Sequence, residues 1–260
     1  MKFSKKSLGQ NFLIDQNIKK KIIRLTEIKN RNIIEIGPGR GALTDEIIKN
    51  QPKSLFLIEK DVNLAKELKI KYNQHRNIKI ICKDILKYDL EKILMKNSLI
   101  IGNLPYNISS QILVKILKLK WPPKFQDLVL MFQKELGEKI IGNFPSTEYG
   151  RLSILRNYRL KIENKFLVSS NCFFPKPKVT SMVIHFKPKN KHLAKIRNIK
   201  NLEKITNIIF SNKRKMINKN IKKILNNEEI EIIQGLDVKM RPADIEPETY
   251  YKITEIYEKR

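Results

Sequence analysis

The stretch Asn32-Ile33-Ile34-Glu35-Ile36-Gly37-Pro38-Gly39-Arg40-Gly41 decides the fold. Its first half is a short apolar run with β-branched residues, which indicates a buried strand. Glycines follow at once, so the chain can turn sharply there and a ligand can approach the backbone closely. The spacing is Gly-x-Gly-x-Gly, which differs from the Gly-x-Gly-x-x-Gly of dinucleotide sites. Taken alone, such a loop could also be a tight turn that binds nothing.

Apolar runs and helical patterns alternate outward from this loop as far as about residue 187. Strands are predicted at 32–36, 54–58, 78–82, 99–101, 127–132, 160–168 and 181–186. Helices are predicted at 43–49, 62–72, 111–119 and 134–141. Because runs that are apolar throughout suit strands covered on both faces, we expect an α/β fold with a doubly wound, mostly parallel sheet.

The pattern changes after residue 189, where strand-like runs disappear. Apolar side chains then recur at helical spacing, namely Ile205, Ile208, Ile209, Met216, Ile217, Ile221 and Leu225. A chain of 260 residues is long enough for one large domain and a small appendage. We therefore expect a larger domain over residues 1–189 and a small all-helical domain over residues 190–260.

The charge of the chain indicates a polyanionic partner. The net charge is +27 and the isoelectric point is near 10.0, which is typical of proteins that bind nucleic acid. Part of the lysine excess can be compositional drift, since the chain is also rich in Ile and Asn. Local clustering is more informative, because solvated faces usually mix signs. Against one acid, Glu203, the segment 191–225 contains Lys191, Lys195, Arg197, Lys200, Lys204, Lys213, Arg214, Lys215, Lys219, Lys222 and Lys223.

Several classes of protein are not supported by the composition. The two cysteines, Cys82 and Cys172, lie far apart, and the three histidines have no ligand spacing. We therefore expect no disulfide framework and no metal. No segment resembles a membrane span, and the basic N-terminal stretch lacks the apolar run of a signal peptide. These features predict a soluble, cytoplasmic protein.

Two acids follow the second and third predicted strands. Glu59 lies about 20 residues beyond the glycine loop, where a ribose diol is usually bound in such sheets. Asp84 ends the third strand, where a carboxylate could accept a hydrogen bond from an adenine amine. Each acid alone would more often be a solvated loop residue. Placed together at the carboxyl ends of successive strands, the glycine loop and the two acids are typical of S-adenosylmethionine (SAM) methyltransferases.

The motif Asn103-Leu104-Pro105-Tyr106 follows the fourth predicted strand. The amide oxygen of Asn103 can accept a hydrogen bond from the exocyclic amine of a flat base. Pro105 restricts its own backbone and that of Leu104, so the Leu104 carbonyl becomes a second, fixed acceptor. Tyr106 offers a ring face for stacking. Turn chemistry favours the same residues, so the motif in isolation could be a plain strand-to-helix turn.

With these residues together, the chain resembles the KsgA family of small-subunit ribosomal RNA adenine dimethyltransferases. The matching segments run nearly from end to end: 7–13, 35–44, Glu59, Asp84, 103–109, 149–153, 174–179, 212–215 and 239–244. One departure is Lys176, where many members of the family have proline. We expect this difference to leave the ring of Phe174 in its usual position.

The resemblance implies a Rossmann-like SAM-methyltransferase domain followed by a helical domain that binds RNA or the ribosome. It implies that the residues contacting the cofactor are Asn11, Leu13, Gly37, Gly39, Glu59, Asp84 and Asn103. It also implies that the methylated base meets Asn103, Leu104, Pro105, Tyr106 and Phe174. The RNA would bind Lys213, Arg214, Lys215 and Lys219.

The implied reaction adds two methyl groups to each of two adjacent adenosines near the 3′ end of small-subunit rRNA. The implied partner is the immature small subunit during ribosome biogenesis, and we expect the enzyme to be a monomer.

Two alternatives remain open from the sequence. The large-subunit rRNA adenine methyltransferases of macrolide resistance share the fold and both motifs, although they typically have Ile at the position of Leu104. A non-catalytic RNA-binding assembly factor could also use this fold. The intact Gly37, Glu59, Asp84 and the 103–106 motif argue against that second alternative.

Overall fold

The structure, a computed structural model, describes residues 11–189 and 195–260. The motif residues Ser7, Leu8, Gly9 and Gln10 and the predicted RNA contact Lys191 lie outside the described residues. The chain forms two compact units. The first comprises the residues up to 137 together with 162–188, and the second comprises 138–161 together with 189–260.

A seven-stranded sheet organises the first unit. The strands of the chain are β1 (Phe12–Leu13), β2 (Asn32–Ile36), β3 (Ser54–Glu59), β4 (Ile78–Cys82), β5 (Ser98–Asn103), β6 (Phe125–Gln133), β7 (Leu160–Val168), β8 (Phe173–Phe174) and β9 (Ser181–Pro188). The sheet has the order β4-β3-β2-β5-β6-β9-β7. The first five strands in this order are parallel, and β9 runs antiparallel to β6. The predicted α/β class with a mostly parallel sheet is confirmed.

Helices connect the parallel strands and form the second unit. They are α1 (Gln16–Ile23), α2 (Ala42–Lys49), α3 (Val62–Lys71), α4 (Ser109–Leu117), α5 (Lys134–Ile141), α6 (Arg151–Arg159), α7 (Ile199–Ile209), α8 (Asn218–Ile221), α9 (Asn227–Glu231) and α10 (Pro247–Tyr257). Helix α4 begins and ends two residues before the predicted 111–119, and Pro122-Pro123 follow shortly after it. Among the described residues, no helix is both long enough and apolar enough to cross a bilayer.

The order of the strands places a ligand site. Strand β2 lies between β3 and β5, so the strand order reverses there: the chain continues from β2 to β3 on one side and from β5 to β6 on the other. Open α/β sheets bind ligands at such a point. The two strands also approach closely at this edge, because a Cβ on Gly102 would lie 2.5 Å from the Ile36 carbonyl oxygen.

Helix α6 of the second unit lies outside the predicted helical domain and was not among the predicted helices. Helix α6 carries Arg151, Arg156 and Arg159 within nine residues, which conceals its apolar face. Arg156 is buried, and its guanidinium is satisfied there by donating to the carbonyls of Ile140 and Ile141, at 3.0 and 3.3 Å.

Helix α6 also anchors residues 138–161 in this unit, since the Tyr251 hydroxyl of α10 donates to the Ile154 carbonyl at 3.2 Å. The compact units therefore differ from the predicted boundary after residue 189 by this one segment. The division of labour between a catalytic and an RNA-binding domain stays a prediction.

Candidate active site

The glycine loop after β2 packs directly against the turn after β5. Gly37 and Gly39 have φ angles of +68° and +59°, a backbone region that favours glycine. A Cβ on Gly37 would lie 3.6 Å from both the Asn103 carbonyl oxygen and the Pro105 ring. A Cβ on Gly39 would lie 3.0 Å from the ring of Phe12. The loop is therefore enclosed between two other segments, and its backbone is accessible at close range.

Three side chains, which we call the loop clamp, hold the outer side of this loop: Asp45, Lys71 and Tyr72. The buried Tyr72 hydroxyl donates to Asp45 Oδ1 at 2.6 Å, and its oxygen lies 3.4 Å from the Gly41 carbonyl oxygen. Lys71 Nζ donates to Asp45 Oδ2 at 2.7 Å and to the Arg40 carbonyl at 3.3 Å. Burial and the Asp45 carboxylate raise the pKa of Tyr72, so its hydroxyl stays protonated and keeps donating.

Glu59 links the glycine loop to the end of β3. Its Oε2 accepts from the Gly39 amide at 3.1 Å, and its Oε1 accepts from the Asp61 amide at 2.9 Å. Burial raises the pKa of this carboxyl, although both amides favour the charged form. Each oxygen has a further lone pair, so the group can still accept from a ligand with two neighbouring hydroxyls.

Asp84, after β4, is held in a single orientation. Lys60 Nζ lies 2.9 Å from Asp84 Oδ2, and the Leu86 amide donates to Asp84 Oδ1 at 2.9 Å. The hydrogen bond from Lys60 lowers the pKa of Asp84, so this side chain is an acceptor at neutral pH. Lys60 was not among the predicted site residues, although it directly follows Glu59 in sequence.

A second buried acid, Glu35, also lines the cavity, and sequence reasoning did not assign it a role. Its side chain is 1% exposed, and the Thr44 hydroxyl donates to its Oε2 at 2.6 Å. Burial raises the pKa of Glu35 to about 8. A carboxyl with this pKa is mostly protonated at neutral pH.

The turn after β5 presents its polar groups in a fixed way. Asn103 Nδ2 donates to the Asn11 carbonyl at 3.0 Å, which leaves Oδ1 of the same amide as an acceptor. The Tyr106 hydroxyl shares a hydrogen bond of 2.6 Å with the hydroxyl of the buried Ser181. Burial raises the pKa of Tyr106, so the phenol remains neutral. Leu104 between them is buried.

One cavity brings together every predicted cofactor residue and most of the predicted catalytic residues. Its lining includes Asn11, Leu13, Gly37, Gly39, Glu59, Asp84, Asn103, Leu104, Pro105 and Tyr106. Apolar walls that the sequence did not single out come from Ile36, Ile58 and Ile85. Ile36 and Ile58 lie at the ends of β2 and β3, and Ile85 directly follows Asp84. The predicted strands could therefore have indicated that these side chains lie near the site.

Phe174 and the basic cluster are placed differently. Phe174 does not line the cavity in this structure and is 55% exposed, but it pairs in strand register with Phe12, which does line it. The predicted RNA contacts Lys213, Arg214, Lys215 and Lys219 are all exposed and belong to the second unit. Among residues 11–189 and 195–260, no three His, Cys, Asp or Glu side chains are grouped as a metal site.

Comparison with known proteins identifies the family. The family model described as ribosomal RNA adenine dimethylase matches residues 1–259. The chain belongs to this family. The prediction that it is an rRNA adenine dimethyltransferase is thereby confirmed, and the non-catalytic alternative loses its support.

Individual relatives agree with the family match. The "Ribosomal RNA small subunit methyltransferase A" of Pelagibacter ubique (strain HTCC1062) is 44% identical over 257 residues, covering 98% of this chain and 97% of that protein. A dimethyladenosine transferase crystal structure from Plasmodium falciparum superimposes with a TM-score of 0.76 at 25% identity, covering 95% of this chain and 98% of that one. The 23S rRNA methyltransferase ErmE shares the fold, with a TM-score of 0.69 at 23% identity and coverage of 95% and 100%.

Proposed function

We propose that this protein uses SAM to dimethylate the exocyclic amines of two adjacent adenosines near the 3′ end of small-subunit rRNA. The observation that carries the proposal is the fixed amide of Asn103, whose orientation is set by the Asn11 carbonyl at 3.0 Å. An acceptor of this kind at the edge of a glycine-loop cavity suits a substrate amine. The small-subunit assignment rests on the name of the close bacterial relative.

The lining of the cavity fits SAM. The glycine loop allows close backbone approach, and Glu59 has lone pairs for the two ribose hydroxyls. Asp84, held by Lys60, can accept from the adenine amine, and Ile58 and Ile85 provide apolar walls for the adenine ring. When bound, SAM supplies a methyl group on a positively charged sulfur.

The turn after β5 activates the substrate amine by orientation. An adenine amine is a weak nucleophile because its lone pair is delocalised into the ring. Asn103 Oδ1 and the Leu104 carbonyl can accept both amine hydrogens, which localises the lone pair and directs it toward the methyl donor. Once methylated, the amine nitrogen is cationic and strongly acidic, so it releases a proton to water without a strong base. The reaction therefore relies on positioning and fixed dipoles.

Two aromatic rings would hold the base while it reacts. Tyr106 is fixed by its hydrogen bond to Ser181, and the exposed Phe174 is available to a base that leaves its stack. Stacking on one aromatic side chain contributes about 1–3 kcal/mol per base, which offsets part of the cost of flipping.

The second unit would bind the RNA outside the reacting centre. Lys213, Arg214, Lys215 and Lys219 are exposed, and their charges suit phosphates. We also assign the protein to the cytoplasm, where it would act as a monomer on the immature small subunit.

The test is methylation of purified small ribosomal subunits that lack the modification, followed by mapping of the modified bases. Two dimethylated adenosines near the 3′ end of the small-subunit rRNA are expected. Methylation of large-subunit rRNA instead would establish the macrolide-resistance type of activity. Binding of SAM without methylation of either subunit would contradict the proposed function.

A further inference from the structure

Helix α1 carries a cationic face whose residues belong neither to the cavity lining nor to the basic cluster of residues 213–219. Lys20 and Lys21 lie in the last turn of α1, Arg24 follows it, and all three are exposed. The opposite side of the helix, with Ile22 and Ile23, is buried in the core. Cations at a helix C-terminus stabilise an exposed helix by only about 0.3–1 kcal/mol each. This stabilisation explains why the side chains at this end of the helix are positively charged. Because they are exposed, their charge remains accessible to a partner.

Acids near this face are already engaged. Asp15 caps the helix, accepting from the Ile18 amide at 2.9 Å. Glu46 accepts from Lys49 Nζ at 2.6 Å and from the side-chain amide of Gln16. None of the ion pairs found among the described residues involves Lys20, Lys21 or Arg24; the hydrogen bond from Lys49 lowers the pKa of Glu46, and the nearby charge of Lys20 contributes only a minor part. The face therefore keeps its positive charge.

One aromatic ring fixes part of this face. Lys21 Nζ lies 4.2 Å from the ring centroid of Phe166 on β7, a cation–π distance. Phe166 is itself packed against the core, so the ammonium group has a defined position. Basic side chains beside aromatic rings are the usual composition of single-strand nucleic-acid surfaces.

The face is also connected to the reacting centre by a short, hydrogen-bonded segment. Asn11 holds Asn103, and Phe12 pairs with Phe174. The Ile14 amide then donates to the Cys172 carbonyl at 2.8 Å, directly before α1 begins. Helix α1 extends about 12 Å from this point, given a rise of about 1.5 Å per residue. The segment that contacts Asn103 and Phe174 of the base site thus continues directly into the cationic face, over residues 11–24.

We propose that Lys20, Lys21 and Arg24 bind phosphates of the rRNA strand that flanks the methylated adenosines. This surface rests on the proposed function, since it requires an RNA substrate at the cavity. It gives the first unit its own RNA contact, which would determine how the strand enters the site.

The test compares two variants of the full chain that remove the same charge. The first is Lys20→Gln/Lys21→Gln/Arg24→Gln. The control is Lys66→Gln/Lys69→Gln/Arg76→Gln, which changes exposed residues on or shortly after α3. Helix α3 lies next to β4, at one edge of the sheet, whereas the α1 face contacts Phe166 on β7, the strand at the other edge. Binding to unmethylated small subunits is measured between 50 and 200 mM salt, with the parent protein alongside.

Loss of three single-strand phosphate contacts should reduce the slope of log affinity against log salt by about 2. Over this fourfold range of salt, the parent should therefore lose about 16-fold more affinity than the α1 variant. The control should keep the parent's slope. The affinity for SAM should be the same in all three proteins, and the KM for subunits should rise only in the α1 variant.

A charge-preserving variant, Lys20→Arg/Lys21→Arg/Arg24→Lys, separates charge from folding and should retain the parent's slope. If the glutamine triple is poorly folded, the exposed single change Lys20→Gln takes its place, with an expected slope reduction of about 0.7. Equal slopes for the α1 variant and the α3 control would overturn the surface alone, provided that the parent methylates subunits. A parent that neither binds nor methylates them would overturn the surface together with the proposed function.

Discussion

The cavity at the sheet edge and the basic cluster of the second unit are built on opposite principles. Around the cavity, Glu59, Asp84, Asn103 and Tyr106 each have a hydrogen-bond or ion-pair partner that sets their orientation. In the cluster, Lys213, Arg214, Lys215 and Lys219 extend into solvent. Removing one side chain from the cavity abolishes the fixed orientation that it provides, whereas removing one cation from the cluster lowers the total charge by a single unit. Single substitutions should therefore have large effects in the cavity and only additive effects in the cluster.

The largest expected effect is that of Asn103→Ala. The change removes an acceptor at the reacting centre and leaves the Asn11 carbonyl without its donor. Loss of one such preorganised group typically costs about 100-fold or more in turnover. Methyl transfer to small subunits under saturating SAM measures the effect. Activity within a few-fold of the parent would mean that the amide is not the acceptor.

Glu59→Ala should mainly weaken SAM binding. The carboxylate is expected to accept from the ribose, and it also holds the Gly39 amide at 3.1 Å. A hydrogen bond to a charged group contributes about 1.5–3 kcal/mol, so the dissociation constant should rise about ten- to a hundred-fold. Calorimetric titration with SAM measures this. An unchanged constant would show that the end of β3 does not contact the cofactor.

The basic cluster should respond in a graded way. Neutralising Lys213, Arg214 and Lys215 together should reduce the salt slope of subunit binding by about two to three, and each single change by about one or less. SAM affinity should not change, because the cavity is formed entirely by the first unit. If one of the three single changes accounted for the whole loss, the cluster would be an oriented site like the cavity, and the comparison would fail.

The smallest expected effect is that of Tyr72→Phe in the loop clamp. It removes the donor to Asp45 Oδ1 while keeping the buried ring. A net contribution of about 0.5–1.5 kcal/mol predicts a two- to tenfold weaker affinity for SAM. The effect should appear in the KM for SAM and leave the turnover at saturation nearly unchanged. A fall in turnover at unchanged KM would assign Tyr72 to the reacting centre instead.

The sequence predicted the sheet and the cavity well for identifiable reasons. The strands 32–36 and 78–82 have the predicted bounds, because isoleucine-rich runs end there at Gly37 and at Lys83. Glu59, Asp84 and Asn103 meet because parallel strands bring their carboxyl ends to one edge. Motifs at strand ends are therefore the part of a site that a single sequence reveals best.

The features that were missed depend on distant contacts or on short elements. Strands β1 and β8 have two residues each, too few for any periodicity. The arginines of α6 conceal its apolar face from a hydropathy pattern, and Arg156 bonds two carbonyls that are distant in sequence. The raised pKa of Glu35 results from burial by distant parts of the chain, and the loop clamp joins positions 41 and 72, which no local pattern connects.

The contact of the loop clamp with Gly41 also predicts that substitutions at positions 41 and 72 have non-additive effects. A Cβ on Gly41 would lie 2.1 Å from the Tyr72 hydroxyl, and the φ of Gly41 is +84°. Gly41→Ala alone thus carries a steric cost and a backbone cost. Tyr72→Phe relieves most of the steric cost, since the nearest ring carbon would then lie 3.1 Å away, and leaves the backbone cost. The double variant should be less impaired than the sum of the two single variants, while remaining below the parent. Positions 41 and 72 consequently form an epistatic pair, and substitution of one constrains what the other can become.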